Sequence, residues 1–206
     1  MKGVEEMNYI IQQGKKDAPV LVLLHGTGGT EESLIDVGKD LNQEATLIGI
    51  RGAILENGYP RFFRRLEEGV FDEKDLAERS KELDDFIKEL ANTHDFSLEQ
   101  VVLVGYSNGA NIGMRLLLDH PETYQTAVLF HPMYPVEVTN HLDLKETQVF
   151  VTMGTQDPIV SLADSQRVLS LLRERGARIT EEWTKSHQLT FLEVSRAKEW
   201  LGNVGN

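Results

Sequence analysis

A chain of 206 residues, 40% of them hydrophobic, is long enough to bury a continuous core. No linker-like stretch or composition shift divides it, so residues 1–206 are read as one domain. Acidic side chains number 33 against 21 Lys and Arg, and the resulting net charge of −12 disfavours nucleic acid, heparin-like polyanions and stable association with anionic membranes. The absence of cysteine rules out a disulfide framework, Met1–Glu6 lacks the apolar core of a signal peptide, and no apolar run reaches membrane-spanning length. A cytoplasmic location is the simplest expectation.

The first strand signals are Asn8–Gln12 and Val20–Leu24, and the intervening Gly14-Lys15-Lys16-Asp17 predicts an antiparallel hairpin at one sheet edge. Val20–Leu24 runs into His25-Gly26-Thr27-Gly28-Gly29, whose glycines would let backbone N–H groups approach a developing oxyanion without side-chain obstruction. Thr27 is the expected donor here; His25 is expected to brace its own loop or to border a pocket. The plainer reading is a loop that opens a helix capped by Thr30, with Glu31 and Glu32 in its first turn. Ala45–Ile50 is a third strand signal. In Lys74–Ala91 the residues Leu76, Leu83, Phe86, Ile87 and Leu90 recur at helical spacing, enough to cover one face of a sheet.

The apolar run Val101–Val104 leads into Gly105-Tyr106-Ser107-Asn108-Gly109, and the helix-like Ala110–Leu118 follows. Strand, Gly-x-Ser-x-Gly and helix in this order form a nucleophile elbow, a turn so sharp that side chains at the outer glycines would collide with neighbouring chain. Ser107 is the expected nucleophile, and the Asn108 N–H, just after it, the second oxyanion donor. His120, before Pro121, is expected to close this helix.

Strand signals continue at Thr126–Phe130, Val149–Gly154 and Ile179–Trp183, with a helix over Leu162–Arg175 that Gly176 is placed to end. Two loops at the ends of these strands carry the remaining chemistry. Asp157-Pro158 follows one strand, and His187 follows another, ahead of a helix opened by a Thr190/Glu193 capping box. His187 would take the Ser107 proton and return it to the leaving group, while Asp157 fixes the imidazole tautomer and stabilises the imidazolium. His141 is a weaker rival, because no strand signal directly precedes it; Asp164 is explained by its place in a helix N-terminus. His131, at the end of Thr126–Phe130, is divided between structure and substrate contact. No local pattern of metal ligands occurs among the six histidines, so neither a metal nor another cofactor is expected.

The alternation of strands and helices specifies an α/β class, a mostly parallel sheet with helices on both faces. The short, mostly polar Met133–Gln148 leaves no room for a large lid. On His25-Gly26-Thr27-Gly28, Gly105–Gly109, Asp157-Pro158 and Ser186-His187, together with Arg51–Arg65, the chain resembles the carboxylesterase/phospholipase branch of the alpha/beta-hydrolase superfamily. It is most similar to the small bacterial carboxylesterases, relatives of acyl-protein thioesterases and dienelactone hydrolases. The resemblance implies the alpha/beta-hydrolase fold and places Arg51–Arg65 at the border of the active site. It departs from dienelactone hydrolases, whose nucleophile is cysteine, and from relatives with glycine where Ser186 stands.

Phe62, Phe63, Met133 and Tyr134 are candidates for an apolar pocket wall as well as for plain packing. Arg61, Arg64 and Arg65 are read as surface partners of Glu67 and Glu68 in preference to holding a carboxylate or phosphate of the substrate. The expected activity is hydrolysis of small or medium acyl or aryl carboxylic esters through an acyl-enzyme. The sequence leaves open a thioesterase, a lysophospholipase, an acyltransferase and a non-catalytic small-molecule sensor, and it allows a homodimer.

Overall fold

Val20–Leu24, Thr46–Ile50 and the buried parts of three later strands bury nearly every side chain, which requires cover on both faces of the sheet they build. The computed structural model describes residues 7–204. In chain order its elements are β1 (Tyr9–Gln12), β2 (Val20–Leu24), α1 (Ile35–Leu41), β3 (Thr46–Ile50), β4 (Ile54–Glu56), β5 (Tyr59–Arg61), β6 (Arg65–Glu67), β7 (Val70–Phe71) and α2 (Glu73–His94). After a short 3-10 turn follow β8 (Val101–Tyr106), α3 (Asn108–Asp119), β9 (Thr126–Phe130), β10 (Gln148–Gly154), α4 (Leu162–Glu174), β11 (Arg178–Thr184) and α5 (Phe191–Leu201). Met1–Glu6, read above for a signal peptide, lie outside the described residues.

Seven strands form one sheet in the order β1-β3-β2-β8-β9-β10-β11, parallel except for β1. Period-two alternation divides its side chains. Val20, Val22, Leu24, Val101, Leu103, Ala127 and Leu129 meet apolar residues of α2, α3 and α4, whereas Leu21, Leu23, Val102, Val104, Val128 and Phe130 meet those of α1 and α5. Each fully buried Leu, Ile or Val contributes about 1.5–3 kcal/mol relative to exposure, so both helical layers are held chiefly by these rows. No helix of the described residues is long and apolar enough to cross a membrane.

Two local expectations are corrected. β1 does not form a hairpin with β2; it pairs antiparallel with β3, from Tyr9 opposite Ile50 to Gln12 opposite Leu47. Both edges of β2 are occupied by parallel partners, and the connection is fastened to the start of β3, where the Gly14 N–H donates to Thr46 Oγ1 at 3.0 Å and the Lys15 N–H to Glu44 O at 2.7 Å. Nor does Thr30 cap a helix. Thr30 N–H donates to Ser33 Oγ at 2.8 Å and Thr30 Oγ1 accepts from Glu32 N–H at 3.3 Å, a local turn that delays α1 until Ile35. The segment between β3 and α2, left without elements by the sequence reading, contains two small hairpins, β4–β5 and β6–β7.

Candidate active site

The sharp turn after β8 is possible only because two of its residues lack a Cβ. One at Gly109 would overlap the Leu24 carbonyl, and one at Gly105 would lie 2.7 Å from the Ala110 backbone. Between them Ser107 adopts φ 52 and ψ −115, a conformation that disfavours an L-residue by roughly 1–3 kcal/mol. A bond from Ser107 N–H to Phe130 O at 2.9 Å ties the turn to β9. As the first residue of α3, Asn108 has a backbone N–H with no acceptor inside the helix. Its side-chain Oδ1 accepts from the buried Phe62 N–H at 2.7 Å, fastening the segment after β3 to the turn.

The loops after β10 and β11 deliver the acid and the imidazole. Gly154 lets them come together, since a Cβ there would lie 2.7 Å from Ser186 O and 2.9 Å from Asp157 Cβ. Asp157 Oδ1 accepts the N–H groups of Ile159 at 2.7 Å and Val160 at 2.9 Å, which leaves Oδ2 to face His187 Nδ1 at 2.7 Å. His187 Nε2 in turn lies 2.9 Å from Ser107 Oγ. Because a carboxylate only accepts, Nδ1 carries the proton and Nε2 is free to receive the serine hydroxyl. Tyr106 OH donates to His187 O at 3.1 Å; burial first, then the carboxylates of Asp157 and Glu193, push this phenol up, so it stays a donor.

A second buried pair lies beside Asp157 and His187. His131, with φ 53 at the end of β9, has Nδ1 3.7 Å from Asp157 Oδ2 and Nε2 2.7 Å from Glu193 Oε1. Burial pushes the Glu193 carboxyl up, but the polar side chains of His131, Thr190 and Thr152 around it outweigh this and hold the group below the usual carboxylate range. His131, Asp157 and His187 are the one group of metal-capable side chains brought within 4.8 Å among the described residues. Asp157 and His187 direct those atoms at each other.

The glycine loop after β2 is clamped from two sides. His25 Nδ1 donates to Gly26 O at 2.7 Å and Nε2 accepts the Gly52 N–H at 3.0 Å; burial, with Arg51 nearby, pushes this imidazole down and keeps it neutral. Gly28 N–H donates to Pro60 O at 2.9 Å, which joins the loop to β5. Gly26, Thr27, Ser107, Asn108, Asn111, Met133, Ile159 and His187 face one cavity of about 370 Å³, closed on a further side by Arg61, Arg65, Glu68, Gly69 and Phe71.

Of the residues expected to line a pocket, Met133 does so. His25, Phe62, Phe63 and His131 do not: Phe62 stacks on His25 with ring centres 4.8 Å apart, Phe63 packs on Phe71, and His131 is buried beside Asp157 and His187. The arginine pairing is also corrected. Arg61 and Arg65 share Glu56, and Arg64 pairs with Asp72 and Asp75, because the β4–β5 turn brings Glu56 back over Arg61. His141 is exposed beside α4, far from this cluster, and Asp164 sits in the first turn of α4. Asn111 and Ile159 on the cavity wall were not anticipated. One helical turn after Asn108, Asn111 on the same side of α3 was the available signal.

Residues 5–204 match the model of the phospholipase/carboxylesterase family. MhqD of Bacillus subtilis (strain 168), which carries the provisional name of a hydrolase, is 46% identical over 195 residues, 94% of this chain and 97% of that protein. Among solved structures, the Bacillus cereus carboxylesterase is 44% identical with a TM-score of 0.93, covering 96% of this chain and 94% of its own. YahD, solved with malic acid, is 30% identical with a TM-score of 0.92, covering 96% and 98% respectively.

Proposed function

Because this chain belongs to the phospholipase/carboxylesterase family of alpha/beta-hydrolase enzymes, we propose that it cleaves small carboxylic esters with Ser107 as nucleophile, His187 as general base and acid, and Asp157 as the orienting acid. The observation that carries this reading is the unbroken contact chain from Ser107 Oγ through His187 to Asp157, at 2.9 and 2.7 Å, opening on the cavity. Attack of Oγ on the ester carbonyl passes the hydroxyl proton to His187 Nε2. The N–H groups of Thr27 and Asn108 hold the resulting oxyanion, and each such donor is worth roughly 3–4 kcal/mol in related enzymes. Collapse returns the proton to the leaving alcohol and leaves an acyl-Ser107, which water cleaves by the same steps in reverse order.

A cavity of about 370 Å³ supports a small or medium substrate in place of a long acyl chain. The dicarboxylic acid that accompanies YahD adds small acids to the compounds worth trying. A panel of p-nitrophenyl esters and thioesters graded by chain length, run beside fluorophosphonate labelling of Ser107, tests the proposal. Turnover of short esters with stoichiometric labelling is the expected result; absence of both overturns it.

A further inference from the structure

Building on the serine-hydrolase reading, we infer that Arg61 makes this cavity a receptor for esters that carry a free carboxylate, such as half-esters of small dicarboxylic acids. Arg61 is only 4% exposed, yet it forms part of the wall that also presents Ser107 and Thr27. Its Nε donates to Phe63 O at 3.3 Å and its Nη1 to Thr27 Oγ1 at 2.8 Å and Glu56 Oε2 at 3.4 Å. These bonds account for a structural role, steadying the glycine loop. They leave Nη2 without an acceptor among the described residues.

The local charges are also out of balance. Glu56 gives Oε2 to Arg61 and Oε1 to Arg65 Nε at 2.9 Å, so two guanidiniums share one carboxylate. Burial, then Arg65, push the Arg61 guanidinium down, and the shared Glu56 opposes them. The acidic group on the wall itself is Glu68, which is exposed and therefore screened by water. The free Nη2 of this desolvated guanidinium is best satisfied by a carboxylate oxygen, which makes a charge-assisted hydrogen bond. A phosphate dianion would bring two charges to a wall with only one in surplus. The protein's net charge of −12 gives an anion no long-range attraction, so recognition has to be made at short range.

The test compares kcat/KM for two isosteric pairs, detecting the released alcohol by NMR: monoethyl glutarate against its neutral primary amide, and 4-(acetoxymethyl)benzoate against the corresponding benzamide. The pairs put the carboxylate on the acyl and the alcohol side. We expect the acid to be preferred by about tenfold or more in at least one pair. That preference should fall to about twofold or less in Arg61→Gln and survive in part in Arg61→Lys, which retains the charge. Equal or faster turnover of the amide in both pairs overturns the inference, as does an undiminished preference in Arg61→Gln. If Arg61→Gln does not fold, Arg65→Gln takes its place, since it leaves Glu56 wholly to Arg61, and it should also lower the preference; no change overturns the inference. Cleavage of p-nitrophenyl acetate without cleavage of either acid removes the carboxylate inference and keeps the hydrolase reading. No cleavage of any ester and no labelling of Ser107 removes both.

Discussion

Glu193 Oε1 lies 2.7 Å from His131 Nε2, with neither side chain exposed to solvent, and His131 Nδ1 lies 3.7 Å from Asp157 Oδ2. Glu193 Oε2 meanwhile accepts from Thr190 N–H at 2.8 Å and Thr190 Oγ1 at 2.7 Å, so one carboxylate caps α5 and holds His131 at once. Glu193→Ala removes both functions and leaves a buried imidazole without its partner. Urea unfolding at neutral pH should show a loss of about 3–5 kcal/mol. Glu193→Gln keeps the shape and one acceptor, and should cost about 1–2 kcal/mol.

Ser107 offers a case where activity and stability move in opposite directions. Ser107→Ala should lower kcat by on the order of a million-fold on a p-nitrophenyl ester. Ser107→Gly should be equally inactive yet more resistant to unfolding by about 1–2 kcal/mol, because glycine adopts φ 52 without the Cβ clash. A calorimetric scan of the two variants checks the second statement.

Acid sensitivity follows from His25. Its Nε2 must be unprotonated to accept the Gly52 N–H, and burial holds the folded imidazole below its unfolded value. The unfolded state therefore binds the proton more readily, and this contribution to stability is complete above about pH 6.5 and is lost as pH falls through the lower folded value. His25→Gln should flatten the dependence of unfolding free energy on pH across that window. A profile identical to that of the parent protein would contradict the assignment.

Asn108 joins the turn to the cavity's far wall. Asn108→Ala leaves the buried Phe62 N–H without its acceptor, which should cost about 1–3 kcal/mol. Since the same segment carries Arg61 and Arg65, KM for an ester should rise as well, and steady-state kinetics on the folded variant reads this directly.

The strands, the glycine turn and the loops bearing Asp157 and His187 were legible because each rests on a local pattern: apolar runs, Gly-x-Ser-x-Gly, a proline after an acid. What escaped depends on pairing between distant segments. β1 chooses β3 over its neighbour in sequence because of what β2 already binds, and no property of Asn8–Gln12 announces it. Arg61 looked like one of a surface trio until the β4–β5 turn set Glu56 against it. That turn did carry a local sign: Asn57-Gly58, with φ 51 and 83, is the residue pair that a tight two-residue hairpin favours. Phe62 and Phe63 point inward for the same nonlocal reason, since Asn108 and Phe71 fix that stretch from outside it.

β11 is an edge strand whose single neighbour is β10, and the loop that follows it holds His187. The proposed proton acceptor thus hangs from the margin of the sheet, while Ser107 is rooted at its centre after β8. Fraying that margin would silence the enzyme with most of the architecture intact, so loss of turnover in mild denaturant should precede loss of the helical circular-dichroism signal, and recovery of turnover should be the last event of refolding.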